Sequence, residues 1–168
     1  MSKHQVTSKS IHLAAEDMGT FDQNHLQKIT SPLIGTQIHI GALHQILFEK
    51  EGQIFTGVVT AVFMAYLLAC KKQGIPYHEI PEATMVAAYT DGRTFEKYYS
   101  LLSRKEPSQT GIHFLATHAQ TPMAKYTYDT IWRCRGRNSI GSDIEAARIF
   151  GVCIALLNAL HQAIVTHK

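Results

Sequence analysis

The chain has 168 residues, enough for one domain that buries roughly 70% of its unfolded surface. Charged residues make up 17% of it, against roughly 25% in typical soluble domains, and the net charge is +3 with histidine neutral. That charge is too mild to argue nucleic-acid binding by itself, and the short supply of charged side chains favours an oligomer or a bound partner over a lone monomer.

The N-terminus, "MSKHQVTSKSIHLAAEDMG", has no apolar run followed by a cleavage site, so a cytoplasmic protein is expected. Residues 1–168 read as a single helical domain, of which residues 1–10 form a flexible N-terminal segment. The breaks that follow are short and turn-like: Gly19, "KEG" at Lys50–Gly52, "KKQGIPYHEIP", "TDG", "KEPSQTG" and "RGRNSIG". Between them the pattern is mostly helical.

Ser31-Pro32 reads as an N-cap with a first-turn proline, after which Leu33, Ile40 and Leu47 recur down one face until Gly52. Then comes "IFTGVVTAVFMAYLLAC", Ile54 to Cys70, which holds no charged residue. Lys71 and Lys72 follow it, well placed for the negative end of a helix dipole, and the helix should stop near Gly74. Pro81-Glu82 starts another helix, which either runs through Asp91-Gly92 or kinks there into "RTFEKYYSLLSRK".

Thr121-Pro122 repeats the cap-plus-proline signal. Met123, Tyr126, Thr130, Ile131 and Cys134 then make a helical stripe. A strand over "KYTYDTIWRCR" is the rival reading, because β-favouring residues alternate there; with Ile112–Thr117 it would form a two-stranded element. Ser142 and Glu145 make a capping box that opens the last helix, "SDIEAARIFGVCIALLNALHQAIVTHK".

Two of these helices share an internal order. Gly57, Ala61, Ala65 and Ala69 sit at successive i+4 positions, and so do Ala147, Gly151, Ala155, Ala159 and Ala163. Small residues along such a ridge let two helix backbones approach closely. The opposite faces carry Val59, Phe63 and Tyr66 in one helix, and Ile149, Cys153, Leu156, Leu160 and Ile164 in the other. Both helices are therefore apolar nearly all round and expected to be buried. A closely crossed central pair is the favoured arrangement, and self-pairing into a homodimer the other. Asn158 and Gln162 flank the second ridge and need hydrogen-bond partners, for which Thr56 and Thr60 are candidates.

Small-xxx-small is also a membrane packing signature. The second helix carries Arg148, Asn158, His161 and Gln162, however, and would insert poorly. A membrane role is therefore not expected.

For chemistry, the strongest local cluster is "WRCRGRNSIGS", which places Arg133, Arg135 and Arg137 just before a helix start. Guanidinium groups there can hold phosphate or another anion, or simply solvate a loop. The three cysteines, Cys70, Cys134 and Cys153, lack metal-ligand or disulfide-framework spacing. His39/His44 and His113/His118 sit at i, i+5, off a common helix face, so no metal is expected. Cys153 with His161 could be imagined as a nucleophile and base, but a mid-helix apolar site disfavours a thiolate. Tyr89, Tyr98, Tyr99, Tyr126 and Tyr128 concentrate in the middle and suit a core or interface edge.

The sequence thus predicts an all-α domain of six or seven helices around a close pair, with α+β as the alternative. The expected function is a non-enzymatic adaptor or chaperone-like module that binds a protein partner or its own copy, with no cofactor. The alternatives are a nucleic-acid- or anion-binding subunit using the three arginines, and an enzyme with a histidine-containing pocket.

Overall fold

A computed structural model of the chain describes residues 4–20, 22–31, 52–92, 118–136, 140 and 143–166. Six helices make up most of them: α1 (Ser8–Met18), α2 (Gln23–Thr30), α3 (Gly52–Gln73), α4 (Glu82–Gly92), α5 (Thr121–Gly136) and α6 (Asp143–Thr166). Among the described residues there is no strand, and the fold is all-α. The predicted helix over Leu33–Leu47, the Ser142 cap, the candidate strand Ile112–Thr117 and the continuation past Gly92 lie outside the described residues.

The central apolar stretch becomes α3, and its end is chemically explicit. Gly74 adopts φ +69°, the left-handed conformation that glycine takes without a Cβ penalty. Its N–H donates to the Lys71 carbonyl at 3.2 Å, and Ile75 N–H donates to the Cys70 carbonyl at 2.9 Å. That pair of bonds satisfies two otherwise orphaned carbonyls, while buried Ile75 turns back onto the core.

The rival strand at Tyr126–Arg133 is helical, lying within α5. The Thr127 hydroxyl donates to the Met123 carbonyl and the Thr130 hydroxyl to the Tyr126 carbonyl, each at 2.8 Å. By bonding back four residues, these buried threonines satisfy their hydroxyls inside the helix, so their β preference is overridden. The helix opens one residue earlier than the cap signal suggests: the Gln120 carbonyl accepts from Ala124 N–H at 2.9 Å.

The core runs through all the long helices. Tyr66, Phe150, Leu67, Met85, Met123, Ile131, Ile140 and Ile149 are its largest fully buried side chains. Among the described residues, Glu145–Thr166 of α6 is the one helix long and apolar enough to cross a membrane, yet 67% of its most apolar window is buried inside the fold. An apolar helix used in this way is a core helix.

Helices α3 and α6 touch, but each has a more extensive contact elsewhere, α3 with α1 and α6 with α4. Along the two ridges, Ala65, Ala69, Ala147, Gly151, Ala155 and Ala159 are buried, Ala61 and Ala163 are half-buried, and Gly57 is exposed. A Cβ added at Gly57 meets nothing within 4 Å. No close backbone approach therefore requires glycine there, and only its helix-interior entropy matters. Gly57→Ala should stabilise the protein by about 0.5–1 kcal/mol in urea unfolding. A loss of stability would place a helix against Gly57 instead.

Candidate functional site

Ahead of α1, residues 4–7 are gripped from both sides, and the backbone is extended where it enters the helix at Thr7. In an extended chain the C=O of one residue and the N–H of the residue two further on point the same way. Gln120 reads one edge of this strap: its Nε2 donates to the His4 carbonyl at 2.7 Å, and its Oε1 accepts from Val6 N–H at 3.0 Å. Gln73, at the end of α3, reads the other edge. Its Oε1 accepts from Thr7 N–H at 2.6 Å, and its Nε2 donates to the Gln5 carbonyl at 3.2 Å. Two side-chain amides thus act as the neighbouring strands this segment lacks.

Val6, fully buried, anchors the strap in the core. Thr7 then caps α1, its Oγ1 accepting from Ser10 N–H at 3.1 Å. Near the other end of α1, Lys72 of α3 and Asp17 form an ion pair between the two helices.

Two histidines sit behind Gln120. Gln120 N–H donates to His118 Nδ1 at 2.9 Å, so that nitrogen is bare and His118 Nε2 carries the proton. His118 Nε2 donates it to Asn158 Oδ1 at 2.6 Å. The second hydrogen of Gln120 Nε2 points at His161 Nδ1, 3.0 Å away, which is bare for the same reason. Both rings are therefore held neutral. Burial pushes the titration of His118 below its usual 6.5, against a smaller opposing pull from Asn158 and Gln120. It does the same to His161, where His118 and His4 add like-charge repulsion.

Asn158 thus finds its partner in His118, not in Thr56 or Thr60 across a helix crossing. Among the described residues no three histidine, cysteine or acidic side chains are grouped to hold a metal ion. Cys153 lies fully buried, with its thiol pushed well up by desolvation, and burial also pushes the Cys70 thiol up to about 12. Neither is primed as a nucleophile.

The second feature is an open groove of about 450 Å³ between α1 and α5. Ile11, Ala15, Pro122 and Tyr126 give it an apolar floor, and Ser8, His12, Lys125, Asp129 and Arg133 a polar rim. Lys125, Asp129 and Arg133 follow at i, i+4 and i+8, which puts them on one face of α5. None of the three forms an ion pair with a described residue, whereas His12 lies 3.3 Å from Glu16 on the open surface. Of the sequence-predicted arginines, Arg133 is thus exposed on the rim of a groove. The Arg135 side chain and Arg137 lie outside the described residues.

No family model, curated protein or solved structure matches the chain. The groove was reachable in part, because Arg133 stood out in the sequence; the amide clamp was not, because single glutamines carry no motif.

Proposed function

We propose that the protein is a non-enzymatic interaction module that takes a short segment of a partner protein into the α1/α5 groove. One observation carries this reading: an apolar floor ringed by Lys125, Asp129 and Arg133, charged groups that form no ion pair with a described residue. Binding sites for short segments combine an apolar trough with a few placed polar groups. Two cations against one anion favour a segment in which a large apolar side chain is flanked by carboxylates. The nucleic-acid alternative is weaker, because Asp129 stands on the same helix face and would repel a phosphate backbone.

The test is selection of displayed random peptides on the full chain. Enriched peptides should pair an aromatic or aliphatic anchor with Asp or Glu. Arg133→Glu combined with Lys125→Glu should weaken them about tenfold, the equivalent of ~1.4 kcal/mol. Ala15→Trp, which fills the floor, should abolish binding without touching charge. Peptides that bind the Trp variant unchanged would defeat the groove reading. Steeply salt-dependent binding of a single-stranded oligonucleotide, lost on replacing Arg133, Arg135 and Arg137, would put the nucleic-acid reading in its place.

A further inference from the structure

The strap and the histidines behind Gln120 form one hydrogen-bond chain, His4/Val6–Gln120–His161, with His118 on the Gln120 backbone. We propose that this chain is an acid-released latch: protonating His161 or His118 frees residues 4–6 from the domain, pivoting at Thr7, while the helices stay folded. The inference is independent of the groove.

A proton added to His161 goes onto Nδ1, the nitrogen that faces the Gln120 Nε2 hydrogen. Donor then meets donor, and the contact is restored only if the Gln120 amide turns over and presents its oxygen. Turning it sets Oε1 against the His4 carbonyl and the amide N–H against Val6 N–H. Both strap bonds fail in the same step, because one amide group serves the ring and the strap together.

Protonating His118 acts from the backbone side. Its new Nδ1 hydrogen faces Gln120 N–H, and a cation arrives at the N-terminus of α5, where the helix dipole is already positive. The bonds to Asn158 and Gln120 favour the charged ring, but by less than burial disfavours it. The titratable groups on the strap and on the turn 118–120 are His4 and His118; His161 on α6 faces both, together with the neutral amides of Gln120 and Asn158. On the opposite edge Gln73 holds both Thr7 N–H and the Gln5 carbonyl; the Gln5 bond is given up with the strap and the Thr7 bond stays. Gln73 holds Thr7 through an amide that does not titrate, so Thr7 and the α1 cap stay in place.

The sign follows from linkage. Both rings titrate lower when folded than their usual 6.5, so an unlatched strap binds more protons than a latched one. The latch is at full strength above pH 6.5 and weakens as pH falls from there through the depressed values.

Backbone hydrogen exchange on the full chain at about pH 7.5 and about pH 5, corrected for intrinsic rates, tests this. Val6 N–H should lose roughly tenfold protection in acid, the worth of its lost bonds, while Thr7 N–H and the α6 amides keep theirs. His118→Gln with His161→Gln should remove the difference. Should that double variant fail to fold, the wild-type Gln120 side-chain amide resonances must move with the imidazole titration, below 6.5. Equal Val6 protection at both pH values, loss of α6 protection in step with Val6, acid release surviving in the double variant, or a Gln120 amide unmoved by pH would each overturn the latch.

Discussion

Phe150→Ala should destabilise the protein by about 3–5 kcal/mol in urea unfolding, the range for deleting a buried aromatic ring. Phe150 is fully buried on α6 and meets Tyr128 of α5 edge-on, with centroids 6.2 Å apart and planes at 86°. Tyr128 in turn packs against Trp132 at 6.1 Å and 63°. The ring therefore links two helices, and its loss removes both area and an edge-to-face contact. The hole cannot close cheaply, because flanking Ile149, Val152 and Ile154 are also buried and fixed on the same helix. Phe150→Leu, which keeps most of the volume, should lose less than about half as much. Trp132, the sole tryptophan, reports both transitions by fluorescence and lies at the end of the same aromatic chain. A domain with about 5–15 kcal/mol in hand should survive the first substitution only narrowly. A loss below about 1 kcal/mol for alanine would mean that α5 and α6 do not meet through this ring.

Sequence reasoning reached the elements that local chemistry determines. An uncharged run closed by two lysines and Gly74 can be little but a buried helix, and α3 ends where the left-handed glycine stands. The start of α5 was legible to within one residue from Thr121-Pro122. Its helical state was a closer matter, since Thr127 and Thr130 resolve their β preference only through i−4 carbonyls. Periodicity also has a limit that the small-residue ridge exposes. Spacing says which residues share a face, but not which part of that face is covered: Ala65 and Ala69 are buried, while Gly57 faces solvent.

The sites divide in the same way. Arg133 was visible as part of a basic cluster, although one wall of its groove, Ser8, Ile11, His12 and Ala15, comes from α1, more than a hundred positions away. The clamp was invisible because Gln120 bonds to Val6 and His4 across 114 and 116 residues. Such pairings follow from tertiary placement and leave no periodic trace. The i, i+5 spacing of His113 and His118 argued only against a shared helix face and carried no sign of the partner that His118 takes. His118 works with His161 on α6, which is 41 residues from Gln120.

Gln120→Leu should lower stability by about 2 kcal/mol and detach the strap at every pH. Leucine keeps the volume but leaves Val6 N–H, the His4 carbonyl and His161 Nδ1 without their partner, and buried orphans are dearer than the bonds they replace. The strap then leaves for water, which caps the loss. The forfeited terms are burial of Val6, about 1.5–3 kcal/mol, and three hydrogen bonds of about 1 kcal/mol each. Against them stands about 1–2 kcal/mol of backbone entropy regained for each freed residue. In a chain of this size the net loss corresponds to a Tm lower by about 4–8 °C. Limited proteolysis should find the bond after Lys3 and its neighbours cut faster, with the helical core intact. Gln120→Glu sharpens the case. Its carboxylate has two acceptors, so it repels the His4 carbonyl, yet it welcomes a proton on His161 and should raise that titration. The Glu variant should therefore release the strap already at neutral pH, and its stability should change little on acidification through pH 6.5, unlike the wild type. A Glu variant as stable and as acid-sensitive as the wild type would show that Gln120 does not hold the strap through its amide.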